Sequence, residues 1–423
     1  MLGTILNIDG LKCHLRDPLY RNSYFLMMKN IIGSILGFAF WIVTARYYSP
    51  NEVGLAVAII SALSLLSAFS TLGFDIGLIR FLPGENDKQS MINSCFTVTM
   101  LLSLIMSVIF ITGIGIWSPA LVFVRKNLIF VFLFILFTAI SSPLLLQSNV
   151  FIAFRTAEYS FAQRVISSGL KIPLVMLLSA FGAFGIFSSW GMAMLAALII
   201  GNLFIPKLLI AYRPIPVIQK RVINDMFHFS FGNYISGIFG SLPGTVLPLL
   251  IINVLNPEMT AYFFMAWAFS GVLYEMTRAI NFSLLAEGTH EREKFRSNVF
   301  KATKFIFILL IPAIIAIYLF GDKILLLLGK EYSENALELL RILVLSSIPV
   351  AFIQLYLTVK RVQIKVKSIV GINALRSLLA IGLCYILMIK VGLLGIGVGW
   401  ILSQTVAIMI MGLMEIEIKS FKR

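Results

Sequence analysis

The chain has 423 residues, of which 59% are hydrophobic and only 13% are charged, and its mean hydropathy is +0.96. Soluble domains average about 45–50% apolar and about 25% charged residues. The charges are too few to cover the surfaces of the soluble domains expected at this length. The composition therefore excludes soluble, disordered and fibrous proteins and predicts an integral membrane protein.

The net charge of +15 comes from 34 Lys and Arg residues against 19 Asp and Glu. An excess of this size suits nucleic acid, anionic lipid or an anionic substrate as a partner. The positions of the basic residues along the chain distinguish among these three. The three cysteines, Cys13, Cys95 and Cys384, stand far apart and form no metal-binding pattern. We therefore expect neither a disulfide framework nor a metal site.

Twelve membrane-spanning helices are predicted, because a span needs about 20 mostly apolar residues to cross a hydrocarbon core ~30 Å thick. The first 22 residues are charged and have no long apolar core, so we predict a cytosolic N-terminal segment and no signal peptide. The predicted spans lie at about 23–46, 53–73, 92–116, 127–152, 164–182, 186–211, 229–254, 260–284, 302–320, 338–359, 367–389 and 393–415. The predicted fold class is an all-α integral membrane protein.

The basic residues alternate strongly between the two sides of these spans. The side that holds the N-terminus has 26 of the 34 Lys and Arg, including Arg164 and Lys171, and the opposite side has seven. Cytosolic loops carry such an excess. We therefore predict a multi-pass protein of the cytoplasmic (plasma) membrane with both termini in the cytosol. Most of the positive charge is then explained by the orientation of the chain in the membrane, and no nucleic-acid partner is expected.

The two halves of the chain form an internal repeat. A shift of 207 residues superposes both the hydropathy pattern and several identities, namely Ser23 on Ser230, Gly33 on Gly240, Pro50 on Pro257 and Gln147 on Gln354. We predict an N-terminal six-helix bundle (23–211), a cytosolic linker (212–228), a C-terminal six-helix bundle (229–415) and a cytosolic tail (416–423). The bundles are related by a pseudo-two-fold axis along the membrane normal, a duplication typical of transporters.

Several motifs resemble those of one transporter family. They are Ala45-Arg46-Tyr47-Tyr48-Ser49-Pro50, Glu52-Val53-Gly54-Leu55, Leu72-Gly73-Phe74-Asp75, Ile79-Arg80-Phe81-Leu82, Leu328-Gly329-Lys330-Glu331-Tyr332 and Leu340-Arg341-Ile342-Leu343. The chain resembles the polysaccharide-transporter (O-antigen flippase-like) family of the multidrug/oligosaccharidyl-lipid/polysaccharide exporter superfamily. One departure concerns the first span. The related lipid II flippases have an arginine midway along it, where this chain has Phe40-Trp41.

The resemblance implies a MATE-like pair of six-helix bundles that opens alternately to the cytosol and the exterior. The implied cargo is an oligosaccharide linked to a polyprenyl pyrophosphate or phosphate, moved across the cytoplasmic membrane for surface polysaccharide biosynthesis. Glycosyltransferases or the polymerase of the same pathway are implied as partners, besides the membrane lipids.

No loop holds an ATP-binding motif, a catalytic triad, a metal cluster or a pair of acids. The glycines of Gly395-Ile396-Gly397-Val398-Gly399 lack the following Lys and Ser/Thr of a phosphate-binding loop, and we interpret them as a packing feature. We therefore predict a transporter without a cofactor and not an enzyme. Its energy would come from an ion gradient, the membrane potential or the supply of cargo.

Ionisable residues in or beside the spans are the candidate functional residues, because a charge at the bilayer centre costs at least about 2.5–3.5 kcal/mol. The candidates for substrate binding are Lys29, Arg80, Glu275, Arg278 and Arg376, and those for ion coupling are Glu275 and Asp75. Cationic groups suit a pyrophosphate, which arginine binds through two parallel hydrogen bonds.

Each candidate also has a structural interpretation. Lys29 can extend to the membrane surface, and Glu275 can neutralise Arg278, which is three residues away on the same helix face. Asp75 and Arg80 can cap and anchor a helix end, and Arg376 can bind backbone carbonyls. Trp41, Trp117 and Trp190 are predicted to lie at the outer membrane interface.

Two other functions compete with the flippase. A cation-coupled multidrug exporter of the same fold would need acidic groups in its cavity, whereas the deep charges here are mostly basic. A membrane-bound glycosyltransferase would need acidic or metal-binding loop motifs, and the sequence has none. The charge balance favours an anionic cargo.

Overall fold

The computed structural model describes residues 18–210, 212–290 and 295–420, and within this part all regular structure is helical. The fifteen described α-helices are α1 (Pro18–Tyr47), α2 (Pro50–Ser70), α3 (Phe74–Phe81), α4 (Lys88–Thr112), α5 (Ile114–Trp117), α6 (Leu128–Ala153), α7 (Ala157–Leu177), α8 (Ala183–Leu208), α9 (Lys220–Val254), α10 (Pro257–His290), α11 (Phe295–Leu326), α12 (Lys330–Leu345), α13 (Ser347–Val362), α14 (Val366–Val391) and α15 (Leu393–Ser420). Most of the predicted segment 1–22 and part of the predicted tail 416–423 lie outside the described residues.

Every predicted span overlaps a helix, and the all-α membrane fold is confirmed. By length and composition alone, ten stretches of the described chain are apolar enough to cross a membrane. The predicted spans at 164–182 and 260–284 correspond to α7 and α10, which do not meet that criterion. The predicted span at 338–359 corresponds to α12 and α13, which meet at Ser346. The count of twelve spans stays a prediction.

The chain forms two compact units. Unit 1 holds the described residues up to Tyr48 together with Ala62–Tyr234, and unit 2 holds Ser49–Ser61 together with the described residues from Ile235 onward. Helices α2 and α9 each contribute to both units. Because α9 begins at Lys220, the second half of the predicted linker is helical. The predicted bundle boundaries and the pseudo-two-fold symmetry stay predictions.

In unit 1 the predicted span at 53–73 ends early, because the chain turns at Gly73. This residue has φ +76°, a conformation that side-chain-bearing residues rarely adopt, and a Cβ there would lie 2.7 Å from the Cβ of Ser230. After the turn, Phe74 and Leu78 of the short helix α3 are buried in the same apolar cluster as Met91 of α4. The turn thus brings α3 into the apolar cluster of unit 1.

The segment before α9 is fastened to the start of α4 by side chains. The Tyr212 hydroxyl donates to Asn93 Oδ1 (2.8 Å), Asn93 Nδ2 donates to the carbonyl of Arg213 (2.8 Å), and the Gln219 amide donates to Ser94 Oγ (3.1 Å). Burial raises the pKa of Tyr212 to about 12, so its hydroxyl stays protonated as a donor at neutral pH. These three hydrogen bonds, which we call the polar clamp, hold residues 212–219 against the start of α4.

We expect Asn93→Ala to loosen this clamp and destabilise the protein by about 1–3 kcal/mol, because it leaves the buried Tyr212 hydroxyl without an acceptor. The measurement is the midpoint of thermal unfolding in detergent, together with the rate of proteolysis at 209–219. Gln89→Ala is the control, since Gln89 accepts one exposed bond of 3.3 Å from the Arg213 amide. Equal unfolding midpoints and cleavage rates for wild type and Asn93→Ala would show that the clamp does not hold the linker.

Close backbone contacts organise unit 2. A Cβ on Gly395 would lie 2.1 Å from the carbonyl oxygen of Leu387, and one on Gly399 would lie 2.7 Å from Cα of Cys384. These contacts join α14 to α15, so the interpretation of this glycine run as a packing feature is confirmed. On α2, a Cβ on Gly54 would lie only 1.7 Å from the carbonyl oxygen of Pro257, at the start of α10.

Candidate functional site

Helix α7 carries a polar face within unit 1. Its polar positions recur every three or four residues and therefore share one side of the helix, and they are Ser160, Gln163, Arg164, Ser167 and Lys171. All of these side chains except Arg164 are buried. A buried polar face on a helix of a membrane protein is a candidate functional site, because such groups are costly unless they find partners.

Lys29 of α1 binds this face. Its ammonium donates to Ser148 Oγ (2.7 Å) and to Ser160 Oγ (2.8 Å), and these two hydroxyl oxygens are 2.6 Å apart. The side chain is half-buried and is fixed inside unit 1, so it does not extend freely to the membrane surface as the structural interpretation supposed. An ammonium carries three N–H donors, and two of those on Lys29 are used by the serines.

Arg164 lies one turn beyond Ser160 on the same face. A Cβ on Gly33 of α1 would lie 2.5 Å from Nε of Arg164, so the glycine leaves room for the guanidinium. Along α7, Arg164 lies between Ser160, which binds Lys29, and Lys171. Glu158, on the same helix, pairs instead with Arg21, at 2.6 Å.

Lys171 lies two turns further along α7. It is only 6% exposed, and its Nζ lies 3.2 Å from the centroid of the Trp190 ring. Such a cation–π contact contributes about 2 kcal/mol or more when it is desolvated. The sequence counted Lys171 with the positive charge of the side that holds the N-terminus, and the structure buries this side chain within unit 1. Arg164 and Lys171 both lie in α7 and within the span predicted at 164–182.

The aromatic side chains beside Lys171 also correct a prediction. The Trp190 ring lies 6.2 Å from that of Trp41 and 5.8 Å from that of Phe40, measured between centroids. Trp41 is 8% exposed, whereas Trp117 is 58% exposed. Trp41 and Trp190 therefore pack against each other within unit 1, with Lys171 on the Trp190 ring. Of the three tryptophans, only Trp117 has the exposure expected of an interfacial anchor.

A glutamine pair extends the polar face toward α8. Gln163 Nε2 donates to Gln147 Oε1 (2.5 Å), and Gln147 Nε2 donates to Asn202 Oδ1 (2.9 Å). Gln354, which the internal repeat aligns with Gln147, has a buried Oε1 without a hydrogen-bond partner. The two aligned glutamines thus have different surroundings in their own units.

We call Lys29, Arg164 and Lys171 the α7 cationic site. Within the described chain no carboxylate lies within 4 Å of any of the three. Arg164 and Lys171 on one face of α7, together with Lys29 reaching that face from α1, form an electrostatic environment suited to an anion, because no described carboxylate pairs with them. Of the three, sequence reasoning proposed only Lys29.

Two other predicted residues, Glu275 and Arg278, form an ion pair in unit 2. Oε1 of Glu275 lies 2.8 Å from Nη1 of Arg278, and both side chains are more than half exposed. This geometry agrees with the interpretation that Glu275 neutralises Arg278. An exposed ion pair contributes only about 0.2–1 kcal/mol, so the pair has little weight in the stability of α10.

Arg376 belongs to a second cationic group in unit 2. Its guanidinium lies 6.0 Å from the centroid of the Trp400 ring, and Trp400 Nε1 donates to the Tyr274 hydroxyl (3.2 Å). Arg278 of α10 and Arg361 of α13 are further basic residues of unit 2. Arg361, at the end of α13, was counted as a cytosolic loop charge in the sequence.

Asp75 and Arg80 lie apart from the α7 cationic site, on α3. Asp75 is in the first turn of this helix and Arg80 in its last turn. Carboxylates near a helix N-terminus and cations near a C-terminus interact favourably with the helix dipole. Their positions agree with the capping and anchoring interpretation.

The fold is shared with several solved transporter structures. The lipid II flippase MurJ in an inward closed conformation matches with a TM-score of 0.70 at 14% identity, over 91% of this chain and 86% of that one. An inward-facing multidrug resistance MATE transporter of the MOP superfamily matches with a TM-score of 0.61 at 18% identity, over 93% and 95%. A MOP superfamily transporter from Pyrococcus furiosus matches with a TM-score of 0.61 at 17% identity, over 96% and 97%.

These similarities show that the molecule has the MATE-like fold of these transporters, which confirms the predicted all-α fold class, whereas the count of twelve spans and the pseudo-two-fold symmetry stay predictions. No curated protein sequence matches the chain significantly. A family profile described as polysaccharide biosynthesis protein matches residues 43–337. Since this match covers well over half of the chain, the protein belongs to that polysaccharide biosynthesis family. The predicted family resemblance is confirmed.

Proposed function

We propose that this protein moves a lipid-linked oligosaccharide, carried on a polyprenyl pyrophosphate or phosphate, across the cytoplasmic membrane by alternating access. The family supports a role in polysaccharide biosynthesis, and the fold is one that transporters use. The observation that carries the proposal is the α7 cationic site, in which three basic groups have no carboxylate partner among the described residues.

The chemistry of the cargo fits this site. A pyrophosphate needs compensating positive charge and hydrogen-bond donors in a low-dielectric cavity. The remaining donor of the Lys29 ammonium and the planar fork of Arg164 would bind phosphate oxygens, the arginine through two bonds at once. Lys171, fixed on Trp190, would add positive potential from deeper in unit 1 without needing to move.

The cationic group of unit 2 is a second candidate for contact with the anionic head of the cargo. Arg278, Arg376 and the newly found Arg361 supply the charge there, with Glu275 as the acid beside them. Arg80 stays a further candidate for cargo binding. Both termini are proposed to lie in the cytosol, and glycosyltransferases or a polymerase of the pathway are the proposed partners.

The alternative, a cation-coupled multidrug exporter, rests on the same fold. Such an exporter would use acidic groups to hold cationic drugs, whereas the α7 cationic site has the opposite sign. An unchanged drug-susceptibility profile on overexpression would argue against the exporter and agree with our proposal.

Reconstitution into liposomes tests the proposal. We expect the purified protein to move a labelled prenyl-pyrophosphate sugar between leaflets, and we expect cells that lack the gene to lose surface glycan. Failure to move any prenyl-linked sugar, together with normal surface glycan after deletion, would overturn the proposal.

Glu275 and Asp75 remain the candidates for coupling to an ion gradient. We expect Glu275→Gln to lower the stimulation of transport by an imposed proton or sodium gradient, because it removes the one acid that pairs with Arg278. Glu258→Gln, at the start of the same helix, is the matched control. A gradient response that is identical in wild type and Glu275→Gln would assign Glu275 a neutralising role only.

A further inference from the structure

A groove of about 790 Å³ opens on unit 1, away from the residues of the α7 cationic site. Its lining comes from the turn after α2, from α4 and from the first two turns of α9, and comprises Leu72, Leu102, Lys220, Arg221, Ile223, Asn224 and Phe227. Four of these side chains are apolar, and the two basic ones are neighbours in sequence. The lining is therefore amphipathic.

The basic and apolar parts of the groove are separated along α9. Lys220 is the first residue of this helix, and Phe227 follows seven residues later, about 10 Å further along the axis. Phe227 and Leu72 also pack against the buried apolar cluster of unit 1. The groove thus has a cationic end at the start of α9 and an apolar end toward the core.

The basic residues at the cationic end keep most of their charge available. Arg221 has an i,i+4 contact with Asp225 at 3.8 Å, but both side chains are largely exposed, and water screens such a surface pair strongly. No carboxylate of the described chain lies within 4 Å of the Lys220 ammonium. Two adjacent basic groups are therefore available to a ligand.

We propose that this groove binds one anionic phospholipid of the membrane. Lys220 and Arg221 would hold the phosphate, and an acyl chain would lie over Leu72, Leu102 and Phe227. The predicted topology places 212–228 on the cytosolic side, where the negative surface potential of anionic phospholipids attracts basic residues. This site is separate from the proposed binding of cargo, and it would hold a resident lipid.

Lipid retention by the purified full-length chain tests this site. Native mass spectrometry would compare dioleoyl phosphatidylglycerol with dioleoyl phosphatidylcholine, which has the same acyl chains but no net charge. We expect about ten-fold stronger binding of phosphatidylglycerol by the wild type, and loss of that preference in the double variant Lys220→Gln/Arg221→Gln. Dihexanoyl phosphatidylglycerol, which has short chains, should bind more weakly than the dioleoyl lipid.

The matched control is Lys301→Gln/Lys304→Gln, which removes two exposed basic residues of α11 that are also predicted to face the cytosol. We expect this variant to keep the preference for phosphatidylglycerol. An equal loss in both double variants would indicate general surface charge and overturn the site. Equal binding of the two dioleoyl lipids would do the same. Displacement of phosphatidylglycerol by stoichiometric prenyl phosphate would assign the groove to cargo and overturn the proposed occupant.

Discussion

Lys29→Met is expected to slow the transport of a prenyl-pyrophosphate sugar by about ten- to a hundred-fold, because a hydrogen bond to a charged group contributes about 1.5–3 kcal/mol. Methionine keeps the length of the side chain and removes its charge. The hydroxyls of Ser148 and Ser160, which lie 2.6 Å apart, can still bond to each other, so unit 1 should fold. The measurement is the initial transport rate in proteoliposomes, normalised to the amount of folded protein.

Two variants sharpen this prediction. Lys207→Met, at the exposed end of α8, removes one positive charge from the same unit and should transport at the wild-type rate. Lys29→Arg keeps the charge and should recover part of the activity. Wild-type transport by Lys29→Met, or an equal loss in Lys207→Met, would show that the interior position of Lys29 has no special role.

Gly54→Ala is expected to cause the largest loss of stability among single-methyl substitutions in unit 2. The new Cβ would lie 1.7 Å from the carbonyl oxygen of Pro257 and 2.4 Å from its carbonyl carbon. Neither atom can rotate away as a side chain would, so α2 and the start of α10 must separate. Overpacking of this kind costs about 1–3 kcal/mol, and we expect the upper end because backbone has to move.

The matched control is Gly37→Ala on α1, where no heavy atom lies within 4 Å of the added Cβ. The measurement is the midpoint of thermal unfolding in detergent and the fraction of monodisperse protein. We expect a lowered midpoint for Gly54→Ala and an unchanged or raised one for Gly37→Ala, since alanine favours a helix. Equal midpoints for the two variants would contradict the close approach of α2 and α10.

The apolar runs of the sequence predicted the helices well, because a membrane span is set by local composition and length. The prolines between these apolar runs were also informative, because their effect on the backbone is local. Pro50 and Pro257 each begin a helix, α2 and α10, as their missing N–H groups favour. The turn at Gly73 and the junction at Ser346 were not predicted, because both lie within apolar runs that the length criterion treats as single spans.

The α7 cationic site was found only in part. The fifth span was predicted at 164–182, with Arg164 at its first position and Lys171 inside it, yet both were counted with the positive charge of the side that holds the N-terminus. The positive-inside count cannot distinguish a loop lysine from one buried against Trp190, because that difference depends on which helix face packs inward. The recurrence of polar residues at 160, 163, 164, 167 and 171 was the available signal, since it has the period of one helix face.

Trp41 and Trp190 illustrate the same limit. Both lie near predicted span ends, where tryptophan commonly anchors a helix at the interface. Their inward orientation follows from the rotation of α1 and α8 about their own axes, which sequence position does not define. By contrast, the pairing of Glu275 with Arg278 was predictable, because three residues along a helix bring both side chains to one face.

Transport of matched cargoes by the wild type and by Lys29→Met/Arg164→Met tests the central claim most directly. The cargoes would be a prenyl-pyrophosphate sugar and an uncharged prenyl-linked sugar with the same lipid, in the same proteoliposomes. The account predicts rapid transport of the pyrophosphate cargo by the wild type, loss of that transport in the double variant, and little transport of the uncharged cargo by either protein. Equal transport of both cargoes, or undiminished transport of the pyrophosphate cargo by a folded double variant, would contradict it.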